Sequence, residues 1–346
     1  MQALKWTSRE RLELTDIREP QIASPTEVKI QIALTGICGT DLSVFMGKEA
    51  GIPDVTRGHE AVGTVVEIGA GVSTCAVGDR VVIDPNQYCG LCLPCRRGHT
   101  HLCEGIAGKG LQIAGIQLDG TFAPYFVCDE RYVFAVPEAM SLETAMLIEP
   151  LACVLHNFQV ARVKPYDSVL VLGSGPMGLI AQMVSRRLAG RTVATEMNPF
   201  RLEAARRYSD AAYSPEELYK EVMNKHSERE RFDVVIDTVG NQLETAEAHI
   251  KKGGRIVLFG IHSSYTYTFS PTHYLMNGIQ IIGAGEYHML FEQAIQFAAS
   301  MPELGQLVTR QADLSQFREA VSECMGYDLE TKERVPNRTL KTAFRF

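Results

Sequence analysis

The run Val169-Leu-Val-Leu-Gly173-Ser-Gly175-Pro-Met-Gly178 decides how the second half of the chain is read. Residues 168–172 form a short apolar, strand-like stretch. Met177, Ile180, Val184 and Leu188 then recur at spacings of 3, 4 and 4, one face of a helix that Gly190 stops. Between strand and helix stands G-x-G-x-x-G. Glycine at 173 permits the tight turn, glycine at 175 lets the backbone approach a pyrophosphate, and glycine at 178 lets helix and strand pack closely. The helix N-terminus offers free N–H groups and a positive dipole to phosphates. Such a motif alone also fits an ordinary turn. Its weight comes from Glu196, which ends the next strand, 18 residues after Gly178, where an acid receives the ribose hydroxyls of a dinucleotide. A carboxylate there repels the 2′-phosphate of NADP, and Met197, Asn198 and Pro199 supply no cation to receive it. Arg201, five residues after Glu196, is placed to stack on adenine or reach a phosphate. NAD is therefore expected over NADP. Met177, Thr238 and Ile261 are further candidate cofactor contacts.

Outward from this motif, strand-like segments at 192–195, 232–236, 255–260 and 280–282 alternate with helical ones such as 200–208. That alternation predicts a parallel sheet covered on both faces. The first 150 residues read differently. Residues 28–34 alternate apolar with polar or small residues, 62–68 and 80–83 are β-branched, and Gly and Pro recur at short intervals, as in an all-β, barrel-like domain. The last ~60 residues return to mixed elements and are expected to fold back onto the first domain. A length of 346 residues fits two domains at ~150 residues each. The expected bounds are 1–151 with 286–346, and 152–285.

Composition narrows the function. The net charge is −7, and Arg96-Arg97 and Arg186-Arg187 are isolated basic pairs, so a nucleic-acid partner is not expected. No apolar run approaches the ~20 residues that span a bilayer, and residues 1–10 lack an apolar signal core. A cytoplasmic protein without a membrane partner is expected.

Nine cysteines require a reason, and four of them, Cys89, Cys92, Cys95 and Cys103, follow C-x2-C-x2-C-x7-C. In a cytosolic chain of this size, clustered cysteines point to metal rather than disulfides. These spacings let one loop, 89–103, surround a tetrahedral ion with four thiolates, a closed structural zinc site. An iron–sulfur cluster uses similar spacings, and unliganded thiols are the plain alternative. Zinc is preferred, because a hydride-transfer enzyme needs no cluster. Upstream lie Gly36-Ile-Cys38-Gly-Thr40-Asp41 and Gly58-His59-Glu60. Cys, His and Glu are all zinc ligands, and three of them leave a position open for catalysis. By themselves, Cys38 also fits a small buried residue and His59 a structural histidine.

These segments, together with Ile148-Glu149-Pro150-Leu151-Ala152 and Gly173 to Gly178, occur in an order that resembles the medium-chain zinc-dependent alcohol dehydrogenases. The similarity covers essentially the whole chain and is greatest to the polyol branch, which includes sorbitol (L-iditol) and threonine dehydrogenases. It implies an α/β protein with a GroES-like β-barrel catalytic domain and a doubly wound Rossmann cofactor domain, assembled as a homodimer or homotetramer. It implies two zinc ions per chain, one catalytic at Cys38, His59 and Glu60 and one structural. Glu149 falls where other branches place a further ligand, or where polyol enzymes approach a water at the metal. Which of Glu60 and Glu149 binds metal directly stays open. Thr40 falls where relatives carry a proton-relay hydroxyl, although a buried threonine bonded to backbone fits the position too. The implied reaction takes hydride from a secondary alcohol of a polyol, sugar alcohol or cyclitol to NAD.

Several positions depart from that pattern. Ser43 stands where some relatives carry a relay histidine, and Val44 where sorbitol-type enzymes carry an aromatic. Glu286, before Tyr287 and His288, replaces an arginine that contacts polyol, and Gly120-Thr121-Phe122-Ala123-Pro124-Tyr125 replaces the usual Gly-Gly-Phe-Ala-Glu-Tyr. A glutamate in place of arginine disfavours acidic or phosphorylated substrates and is compatible with a neutral polyol or an amine. His156 and His288 are candidate replacement bases and equally fit packing or surface histidines. Competing readings are a threonine-type amino-alcohol dehydrogenase, a zinc-independent quinone or enone reductase, which lacks such cysteines, and a non-catalytic NAD-binding regulator.

Overall fold

Glu27–Gly36 is buried or half-buried at every residue but Gln31, which makes this strand the spine of the first sheet, with Val28, Ile30, Ile32 and Leu34 as its buried apolar side chains. The computed structural model describes residues 1–222 and 230–346. Strands follow the order Val133–Ala135, Arg80–Ile83, Glu60–Ile68, Glu27–Gly36, Lys341–Arg345 and Val308–Asp313, with Tyr125–Asp129 also paired to Glu27–Gly36. Val65, Val81, Ile83, Phe126 and Val133 complete the core over this spine. Each such side chain contributes roughly 1.5–3 kcal/mol on burial. The pairing is antiparallel except between Val308–Asp313 and Lys341–Arg345. The strand Lys341–Arg345 thus sits beside Glu27–Gly36, with Arg345 opposite Leu34.

The second sheet has six parallel strands in the order Ala211–Tyr213, Arg191–Thr195, Ser168–Leu172, Phe232–Asp237, Ile250–Leu258 and Gln280–Gly283. Val169, Leu170, Val171 and Leu172 are fully buried, as a strand covered on both faces requires. The strand order reverses between Ser168–Leu172 and Phe232–Asp237, the switch point at which doubly wound sheets open a ligand crevice at their carboxyl ends. Gly173 and Thr238 follow these two strands directly. The strand expected at 255–260 begins earlier, at Ile250, because an irregular register carries the pairing past Gly253 and Gly254.

The chain divides into two units, Met1–Ala152 with His288–Phe346, and Cys153–Tyr287. These bounds lie one and two residues beyond those expected from sequence. The helix Ile148–Val160 runs through the first of them, leaving no local break for a sequence signal to mark. Among the described residues, no helix is long and apolar enough to cross a membrane.

Candidate functional site

Three adjacent strands and one helix start build the first group. Glu60 begins its strand opposite Gly36, and Ala343 pairs with Gly36 from the other side. Cys38 caps the helix Gly39–Phe45: its N–H donates to Asp41 Oδ2 at 3.1 Å, and its sulfur accepts from Thr40 N–H at 3.5 Å. Asp41 Oδ1 accepts from Arg57 Nε at 3.1 Å, and Arg57 is only 1% exposed. This buried pair ties the Cys38 turn to the segment that carries His59. One ligand atom each from Cys38, His59 and Glu60 lies within 4.8 Å of the others; Glu149, buried as well, is not one of that group. His59 Nδ1 is buried and has no hydrogen-bond partner among the described residues.

Lys341 joins this group, and sequence reasoning missed it. Its Nζ donates to Glu60 Oε1 at 2.6 Å and also pairs with Oε2. Burial pulls the ammonium down, but the charges of Glu60, Cys38 and Glu149 outweigh that, so it is held above its ordinary value. Burial, with Glu60, pushes the Cys38 thiol up to about 12. A bound cation would reverse that shift, since it favours the thiolate.

In the second group, one ligand atom each from Cys89, Cys92, Cys95 and Cys103 lies within 4.8 Å of the others. Zinc–sulfur bonds of about 2.3 Å in a tetrahedron place sulfurs ~3.8 Å apart, and Cys92 Sγ and Cys103 Sγ are 3.9 Å apart. Thiolates that ligate separate irons of a cluster stand wider, so the spacing suits a single ion. Backbone N–H groups point at the sulfurs: Leu91 and Cys92 at Cys89, Glu104 at Cys92, and Cys89 and Gly105 at Cys103. Those from Leu91 and Cys92 bring the Cys89 thiol down to about 6. The donor set fits a closed tetrahedral zinc site.

The glycine turn forms the third group. Gly173 has φ +89°, a conformation open to glycine. A Cβ on Gly178 would collide with the Gly173 carbonyl oxygen. Above Gly175, its chain neighbours apart, no heavy atom of the described residues lies within 4 Å of a Cβ position, which leaves a cradle that a side chain would fill and a phosphate fits. The helix Pro176–Leu188 starts there without a side-chain cap, so its first N–H groups face that space. Glu196 is more committed than sequence suggested. Its Oε2 accepts from Ser174 N at 2.8 Å, and its Oε1 from Met197 N at 3.0 Å and Asn198 N at 2.8 Å. With about four lone-pair sites on a carboxylate, little capacity is left for ribose. Arg201 Nη2 lies 3.5 Å from the same Oε1. Thr238 Oγ1 donates to Leu172 O at 2.8 Å, Met177 is half-buried, and Ile261 is 66% exposed. Asp237, also missed, receives Val239, Gly240 and Gln242 N–H groups and shapes the neighbouring turn.

Residues 24–138 match the alcohol dehydrogenase GroES-like domain, and residues 176–300 the zinc-binding dehydrogenase domain. Sorbitol dehydrogenase of Bacillus subtilis (strain 168) is 30% identical over 315 residues, 88% of each chain. The chain belongs to the medium-chain zinc-dependent alcohol dehydrogenases, in their polyol-dehydrogenase-like branch. L-Threonine 3-dehydrogenase of Paraburkholderia xenovorans (strain LB400) is 31% identical over 326 residues, 89% of this chain and 91% of the relative. The solved alcohol dehydrogenase TADH from Thermus sp. ATN1 is 25% identical with a TM-score of 0.86, covering 100% of this chain and 99% of that one.

As an enzyme of this family, the dehydrogenase is not the non-catalytic regulator weighed from sequence. Its unusual positions are placed as follows. Val44 is buried, and Thr121 Oγ1 is 2.8 Å from Thr35 Oγ1. His156 Nε2 lies 3.1 Å from the Ala284 carbonyl oxygen, and burial holds its imidazole below the ordinary value. His288 Nδ1 lies 3.3 Å from Thr100 Oγ1, with the rings of His101 and His99 at 4.9 and 6.4 Å. Both histidines therefore have structural bonds.

Proposed function

We propose that this dehydrogenase oxidises a secondary alcohol of a polyol, sugar alcohol or cyclitol to the ketone, using NAD in preference to NADP and two zinc ions per chain. The observation that carries the reading is the convergence of Cys38, His59 and Glu60 within 4.8 Å of one another. These three would hold the catalytic zinc, and Cys89, Cys92, Cys95 and Cys103 the structural one. Zinc supplies Lewis acidity to the substrate hydroxyl, and NAD supplies the hydride acceptor.

The chain's own residues do the rest. Asp41 fixes the Cys38 turn and, through Arg57, the approach of His59. Thr40 hands the substrate proton outward through its hydroxyl. Glu149 acts as an outer carboxylate that balances Lys341. Gly173, Gly175 and Gly178 shape the pyrophosphate cradle, with Met177, Thr238 and Ile261 beside it. Glu196 disfavours a 2′-phosphate, and Arg201 orients the adenosine end. Glu286 in place of arginine supports a neutral rather than an acidic substrate. The likeness to sorbitol dehydrogenase supports a polyol. The likeness to L-threonine 3-dehydrogenase supports a second reading, an amino alcohol whose ammonium pairs with Glu286. The assembly is a homodimer or homotetramer.

The test is NADH formation by the zinc-loaded enzyme across polyols, cyclitols, simple secondary alcohols and L-threonine. Turnover on one polyol or cyclitol is expected. Turnover on L-threonine alone would transfer the assignment to the second reading, and silence across the panel with two zinc ions bound would overturn both.

A further inference from the structure

Three imidazoles meet in the unit Met1–Ala152 with His288–Phe346, and neither the cysteine tetrad nor the Cys38 group uses them. His99 and His101 flank Thr100 in the turn that leads into Cys103, and His288 is where the chain re-enters the same unit. The ring centroids of His101 and His288 lie 4.9 Å apart, those of His99 and His101 5.9 Å, and those of His99 and His288 6.4 Å. An imidazole nitrogen binds zinc at about 2.0–2.1 Å, so two imidazoles on one tetrahedral ion have centroids roughly 5 Å apart. The His101–His288 pair already stands at that spacing. His99 is exposed, and a rotamer change of its side chain closes the two wider gaps. Thr100 supplies the orienting contact that metal-bound histidines use. With its proton on Nδ1, His288 donates to Thr100 Oγ1 across 3.3 Å, and Nε2 then carries the lone pair.

We propose that His99, His101 and His288 bind a further zinc ion, apart from the tetrad and from the Cys38 group. Neutral imidazoles suit zinc, copper and nickel rather than magnesium or calcium. They bring no negative charge to the ion, so it is held more loosely than among four thiolates and follows the free zinc level. Two of the ligands belong to the arm between Cys95 and Cys103, and the third to the point where the chain returns. A bound ion therefore clamps the tetrad loop to that return. Because the unfolded chain does not hold the three rings together, binding stabilises the folded unit. The inference goes beyond the proposed function and does not depend on the catalytic-metal reading, since the new site is defined by the ion that His288→Asn loses.

The test is equilibrium dialysis of the full-length, zinc-loaded enzyme against buffered free zinc, with the metal content measured. Wild type is expected to take up one equivalent more than His288→Asn or His101→Asn. Its Tm should rise with free zinc, and theirs should not. Thr100→Val should weaken the extra equivalent about 10- to 100-fold. Cobalt(II) added to the zinc-loaded wild type should give visible d–d bands without a thiolate charge-transfer band, which separates this site from exchange at the cysteines. His99→Asn, at an exposed position, should weaken the extra equivalent too, and serves if the half-buried histidines are needed for folding. Metal content equal in wild type and all three histidine variants would overturn the inference and leave a packing cluster. An equal loss in His273→Asn, a histidine of the other unit, would also overturn it, as an adventitious ion only. The catalytic-metal reading is tested separately, by the equivalent that Cys38→Ser loses.

Discussion

The unit Met1–Ala152 with His288–Phe346 makes its candidate site from side chains: a thiol, an imidazole and a carboxylate, set by the pairs Lys341–Glu60 and Arg57–Asp41. The unit Cys153–Tyr287 makes its site from main chain: glycines at 173, 175 and 178, an uncapped helix start, and a glutamate bonded mostly to backbone N–H groups. The first is tuned by charge and the second by shape. One atom exchanged should disable the first without disturbing its fold. One atom added should disable the second through its geometry.

The largest expected effect is that of Cys38→Ser. On the proposed function, Cys38 is a metal ligand whose loss forfeits Lewis-acid stabilisation worth several kcal/mol, so kcat/KM should fall about 10³-fold or more. Nicotinamide binding, measured by NADH fluorescence, should persist, because Gly173 to Gly178 lie in the other unit. Near-normal turnover would break the comparison at its first limb.

Gly178→Ala tests the second limb. The added methyl meets the Gly173 carbonyl oxygen, a backbone atom that cannot rotate away. Overpacking of that kind costs about 1–3 kcal/mol, so dinucleotide affinity should drop roughly 10- to 100-fold. Zinc content should stay at its wild-type value. Wild-type affinity would show that the turn relaxes and that shape is not what holds the cofactor.

The same contrast explains what the sequence made legible. Residues that cluster in a short window, the tetrad and the glycine turn, announce themselves by spacing, whereas Cys38, His59 and Glu60 stand out through the resemblance to a known family and not through their own spacing. Lys341 does neither, because it lies 281 residues from Glu60 and a lysine opening a terminal strand looks ordinary. Arg57 gave no signal either: its burial beside Asp41 is a property of packing. For Glu196, sequence suggested an acid at a strand end. That its oxygens would be taken by Ser174, Met197 and Asn198 depends on turn geometry that no residue spacing encodes.

That geometry gives Glu196→Ala a double expectation. Removing the carboxylate removes the repulsion of a 2′-phosphate and frees Arg201, so the kcat/KM ratio for NAD over NADP should shrink about tenfold. It also strands three backbone N–H groups, each costing about 1 kcal/mol or more if left unsatisfied, so Tm should fall as well. A lower Tm with unchanged cofactor preference would make Glu196 purely a brace of the turn.

The smallest effect concerns acid, and it separates the units by how their buried charges are balanced. In the unit Met1–Ala152 with His288–Phe346, Lys341 and Arg57 each face a carboxylate. In the other unit, His249 is 4% exposed; its Nδ1–H donates to Thr245 O at 2.7 Å, and its Nε2 has no hydrogen-bond partner among the described residues. A second proton would place an unpartnered N–H⁺ in the interior. Burial accordingly pulls this imidazole below its ordinary value, as it does His156. For a base lowered on folding, the unfolded chain takes up the proton first. The stability contribution is therefore flat above pH ~6.5 and declines as pH falls from there toward the folded value. His249→Asn keeps a donor for Thr245 and removes the titration. Urea midpoints at pH 7.5 and 5.5 should differ less in this variant than in wild type. An unchanged difference would mean that the nucleotide unit tolerates the buried cation, and that charge balance does not distinguish the two halves.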